Sequence, residues 1–98
     1  MNENTTTTET TYVVQTACAK MPNSCWGQYR RVAVLEIVAG TQPAMISKRA
    51  RGVVRVVATW ERCNVGRTER CAYERALSEA YELAHQLNAG AGPEWALR

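Results

Sequence analysis

The sequence predicts an α+β domain: a three-stranded antiparallel sheet in the order β-β-β-α, with one long C-terminal helix packed on one face. Two observations carry that prediction. From Gly66 to Asn88, the residues Tyr73, Ala76, Leu77, Ala80, Leu83, Ala84 and Leu87 recur at three- and four-residue steps. That spacing makes one side of a helix apolar and leaves Glu74, Ser78, Glu79, Glu82 and Gln86 on the other. Ahead of it lie three stretches rich in β-branched residues, at 12–19, 28–38 and 53–62. An amphipathic helix needs a surface to cover its apolar side, and these strands supply one.

Residues 1–11 form a Thr-rich tail with no apolar side chain between Met1 and Thr11, so a flexible lead-in is expected and the domain proper spans 12–98. The first strand, Tyr12 to Ala19, is rich in Val, Thr and Tyr. Pro22, Asn23, Ser24 and Gly27 then mark a turn. Gln28 to Val38 is the strongest strand. Ala33, Leu35 and Ile37 share one face, and Arg30, Val32, Val34 and Glu36 the other. Apolar residues in the middle of both faces predict a central position. Gly40 to Pro43 ends it. Ala44 to Gly52 reads as a short helical turn or a basic loop, too long for a tight hairpin and placed where binding residues often sit. In the third strand, Val53 to Arg62, Val54, Val56, Ala58 and Trp60 alternate with Arg55, Val57, Thr59 and Glu61. The first set is expected to meet the helix and the second to face away. Asn64 or Thr68 can cap the helix, and Ala-Gly-Ala-Gly-Pro after Asn88 stops it. Arg75 and Glu79 stand at ion-pair spacing. Trp95 is expected to fold back onto the body or onto a partner.

Ninety-eight residues, 46% of them apolar, make one domain with a core of its own. The net charge of +3 permits nucleic-acid contact without demanding it. The ten Arg against two Lys are more telling, because guanidinium groups suit carboxylate, phosphate and aromatic partners. With no apolar run long enough for a membrane span and no signal-like N-terminus, a cytoplasmic chain with reduced thiols is expected.

Catalytic and cofactor patterns are weak. Cys18 and Cys25 are separated by six residues and Cys63 and Cys71 by seven, wider than zinc knuckles use, so no metal is expected. His85 stands alone, with no second His and no Asp to build a nucleophilic unit, so no enzyme activity is expected and no cofactor is implied. Glu36 and Glu61 are placed opposite the helix, within reach of Arg55 or Arg30 as cross-strand ion pairs. The cations fall into groups: Arg30 with Arg31; Lys48, Arg49, Arg51 and Arg55; and Arg67 with Arg70 at the helix start. Cations there oppose the helix dipole, but with the unpaired N–H groups they make an anion seat. Trp60 reads as core, whereas Trp26, in a turn, reads as an interface residue.

The run Gly-Arg-Thr-Glu-Arg-Cys-Ala-Tyr-Glu-Arg-Ala-Leu at 66–77, following three strands, resembles the end of a double-stranded-RNA-binding domain. In that family a basic helix N-terminus holds phosphates, which would give Arg67 and Arg70 that role. The layout from Tyr12 to Asn88 also resembles small single-domain proteins of phages and mobile elements, anti-CRISPR proteins among them. That resemblance implies a non-enzymatic inhibitor docking on a CRISPR effector complex and blocking target-DNA binding or nuclease recruitment. A chain of charge +3 would use a mixed Arg/Glu/aromatic surface rather than mimic DNA. The expected partner-binding set is Trp26, Arg30, Lys48, Arg49, Arg51, Arg55, Arg67 and Arg70. The alternatives are a nucleic-acid module using Arg67, Arg70 and the Lys48–Arg51 loop, and a structural homodimer joined at the sheet's free edge or open face.

Overall fold

A computed structural model of the chain describes residues 9–18, 29–63 and 67–96. Three strands, β1 (Thr10–Cys18), β2 (Tyr29–Val38) and β3 (Val53–Cys63), form an antiparallel sheet in the order β1-β2-β3. Helix α1 (Arg67–Asn88) lies across one face, and a short 3-10 turn (Glu94–Ala96) follows it. The α+β layout is the one the sequence predicts. Residues 1–8 of the expected tail, the turn at 20–27 and the Asn64 cap fall outside the described residues, whereas Thr10 and Thr11, expected in the tail, pair with Val38 and Ile37 as the start of β1.

β2 is central, and its residues from Val32 to Leu35 are fully buried. Its two faces support two separate cores. On the helix side Val32 and Val34 pack with Ala80, Leu83, Ala84 and Leu87, and Trp60 joins them half-buried. On the other side Ala33, Leu35 and Ile37 pack with Val13, Ile46, Val53 and Val56. The second core needs Ile46, which comes from the 39–52 connector. That connector is a series of turns and bends, so the basic loop is the form the sequence adopts there. It crosses the far face and is held by Gln15 Nε2, which donates to the Pro43 carbonyl at 3.2 Å. Thr41 Oγ1 donates to the Val38 carbonyl at 2.7 Å, and Val38 N–H donates to Gly52 at 2.8 Å. The expectation of an open sheet face is therefore corrected, because part of the chain itself covers it.

The faces of β3 are also corrected. Pairing of β2 with β3 skips a residue at Val57 and again at Val54. Each bulge inserts one residue into β3 and reverses the alternation beyond it. Ala58 and Trp60 do face the helix as expected. Between the bulges, Val56 belongs to the far core and Arg55 turns to the helix side, and Val54, the second inserted residue, is half exposed.

The helix ends as the Gly-rich run predicts. Gly90 adopts φ +75°, its N–H donates to Leu87, and Ala91 N–H donates to Gln86. This pair of bonds is the Schellman arrangement, which satisfies carbonyls that the last turn leaves open. A side chain at Gly92 would run into Leu87, so glycine lets the tail turn back closely. Ala96 is then buried in the helix-side core, while Trp95 stays 59% exposed, so the tail folds back without burying its aromatic. The Arg75–Glu79 pair does not form; Gln86 instead donates to Glu82 at 3.1 Å.

Candidate functional site

The predicted site residues separate into an internal group and two outer poles. Arg55 is internal. Tyr12, Glu36 and Arg55 lie side by side in register across β1, β2 and β3. Arg55 Nε donates to Glu36 Oε1 at 2.8 Å, and its Nη2 donates to the Ala96 carbonyl. Thr10 Oγ1 donates to the other Glu36 oxygen at 2.9 Å. Side-chain exposures of 28% and 17% make this a sheltered pair. Its hydrogen bond to Glu36 raises the Arg55 pKa above its ordinary value, with Tyr12 adding to the effect and partial burial opposing it. Glu36 therefore finds Arg55 as expected, but on the helix side of the sheet. Arg55 ties the C-terminal turn to the sheet, and its expected place on the sheet face away from the helix is corrected.

At one end of the sheet, the 39–52 connector carries Lys48, Arg49 and Arg51, all exposed. Local bonds shape the segment: Arg49 N–H donates to Ser47 Oγ at 3.1 Å, and Ala50 N–H to the Ser47 carbonyl at 3.0 Å. None of the three cations has a carboxylate within ion-pair distance among the described residues. Their connector is seated by Ile46, so the charges project from an anchored base rather than from a free loop.

The opposite end holds Arg30, Arg31, Arg62 and the start of α1. Arg30 and Arg62 are cross-strand partners, two like charges placed directly opposite, an arrangement that normally destabilises a sheet. Arg31 is satisfied by Glu61, with Nε at 2.8 Å and Nη2 at 2.7 Å from the same oxygen. Arg70 is exposed one turn into the helix. The side chain of Arg67, and the whole of Trp26, lie outside the described residues. Arg62 did not emerge from the sequence reading, which grouped cations by chain proximity. Its cross-strand position opposite Arg30 becomes visible only once the register is known.

The two poles are not one site. β2 contributes ten residues between them, about 30 Å of strand. A single small ligand cannot bridge Arg70 and the Lys48–Arg51 segment. The helix exterior carries a depression of about 400 Å³, open to solvent and lined by Arg75, Ser78, Glu79, Glu82, Leu83 and Gln86. Among the described residues no three potential metal ligands converge, and Cys71 is an exposed free thiol. Cys25 and the side chains of Cys18 and Cys63 lie outside the described residues. Among the described residues no helix is long and apolar enough to cross a membrane. No protein-family model, curated protein or solved structure matches this chain.

Proposed function

We propose that this chain is a non-enzymatic docking protein that inhibits a larger host complex, in the manner of an anti-CRISPR protein acting on a CRISPR effector. The observation that carries the reading is the anchored cation set Lys48, Arg49 and Arg51 on the connector, which has no carboxylate partner among the described residues. Arginines presented from a fixed base lose little further freedom on binding, and they suit acidic side chains on a partner protein. Blocking target-DNA binding or nuclease recruitment needs only such a contact and no chemistry. Coexpression with effector complexes of several CRISPR types, followed by pull-down and a phage-interference assay, tests it. Capture by at least one complex with loss of interference is expected; no capture and no loss of interference would reject the reading.

The Arg30–Arg62 opposition beside Arg70 favours a second reading, a small nucleic-acid-binding module working from that other end. Phosphate-driven binding weakens steeply with salt, so a gel-shift salt series isolates it. Absence of any shift at low salt removes it.

A further inference from the structure

The two edges of the sheet are built differently. β3 carries two bulges together with Arg55, Glu61 and Arg62, devices that discourage another strand from pairing. β1 has none of them. Its sequence, Thr-Thr-Tyr-Val-Val-Gln-Thr-Ala-Cys, contains no charge and no proline, and it pairs with β2 in unbroken register. Ala39 N–H donates to the Glu9 carbonyl, which places odd-numbered residues of this strand on the β2 side of the ladder. The N–H and C=O groups of Thr10, Tyr12, Val14, Thr16 and Cys18 therefore point outward.

Tyr12 is already covered. Asn88, the last residue of α1, accepts from Tyr12 N–H and donates to its carbonyl, both at 2.9 Å. Its carboxamide stands in for a neighbouring strand at that one position. Val14 and Thr16 have no such partner among the described residues. Asn88 also fixes which flank of the helix overhangs this edge. Leu77 and Tyr81 precede Asn88 by eleven and seven residues, three and two helical turns, so they lie along that same flank. Tyr81 is 61% exposed there.

We propose that the β1 edge is a homodimer interface, in which β1 pairs antiparallel with β1 of a second copy about a twofold axis at Thr16. Thr16 then faces Thr16, and Val14 faces Cys18 on both sides of the axis. This register uses the outward groups of Val14, Thr16 and Cys18, giving about six inter-chain hydrogen bonds and a continuous six-stranded sheet. An uncharged strand meets its own copy without like-charge repulsion, whereas a charged partner would find no complement along it. Both helices lie on the same side of the joined sheet, and the Leu77–Tyr81 flank of each faces the other across the axis. The proposal rests on the edge alone and stands apart from the docking function proposed above.

The experiment is light scattering coupled to size exclusion on the full chain, with Thr16→Lys, Thr16→Glu and Tyr81→Ser variants and circular dichroism to confirm folding. Thr16 is exposed, so neither charge disturbs the monomer's core. Wild type is expected at twice the chain mass. Thr16→Lys and Thr16→Glu are each expected to be monomeric, while an equimolar mixture of the two returns to the dimer mass. Tyr81→Ser is expected to weaken the dimer by about tenfold. A wild type that stays monomeric at high micromolar concentration overturns the proposal, and so does a Thr16→Lys protein that dimerises as well as wild type.

Discussion

Arg55 shows how much a single side chain can be redirected by backbone geometry. Sequence alternation sets it opposite the helix, yet the extra residue at Val57 in β3 turns it inward, where it joins Glu36 to the carbonyl of Ala96. Removing it strands a sheltered carboxylate and frees the C-terminal turn. Arg55→Ala is expected to lower unfolding free energy by about 2 kcal/mol in urea titration, with Arg55→Lys recovering only part of the loss. The hydrogen bond raises the folded-state pKa, so this contribution is complete below the unfolded value and disappears only as pH climbs through the folded one. The Arg55→Ala loss should thus be equal at neutral and mildly alkaline pH. Asn88 is the counterpart at the other edge. Asn88→Ala removes its two bonds to the Tyr12 backbone and one from Thr11, costing about 1 kcal/mol. Hydrogen exchange at the Tyr12 amide should accelerate while amides in the middle of β2 stay protected.

At the level of elements, α1 was legible because its apolar positions follow one period, and β2 because its unbroken apolar run from Val32 to Leu35 suits a strand covered on both faces. The helix stop was legible too, since Gly90 supplies a positive φ that other residues adopt only under strain. What the sequence hid follows from residues that break a period. The bulges at Val57 and Val54 look like ordinary strand residues, and nothing local marks the extra residue, which exists only relative to β2. Ile46 likewise reads as one apolar residue in a basic stretch. Its role depends on a far face apolar enough to draw the connector across it, and Leu35 measures that directly. An uncovered sheet face would lose under about 1 kcal/mol on truncation, whereas a fully buried leucine loses about 2–5 kcal/mol. Leu35 has no solvent exposure, so Leu35→Ala is expected in the higher range by denaturant titration. A small loss would place the connector off the sheet.

Across the whole molecule, the sheet divides the cations into two ends and one inner tie. The sequence grouped Lys48, Arg49, Arg51 and Arg55 together because they are neighbours in the chain. Folding keeps the first three at the surface and withdraws the fourth. It also brings Arg62 opposite Arg30, joining a pole that chain order spreads from residue 30 to residue 70. The docking account places the work at the connector pole. Its most direct test is pull-down by the capturing effector complex of wild type beside a Lys48→Glu/Arg49→Glu/Arg51→Glu variant whose circular dichroism is unchanged. The account predicts that wild type is retained and that the reversed variant is lost, with interference restored; retention of the variant at wild-type level would contradict it.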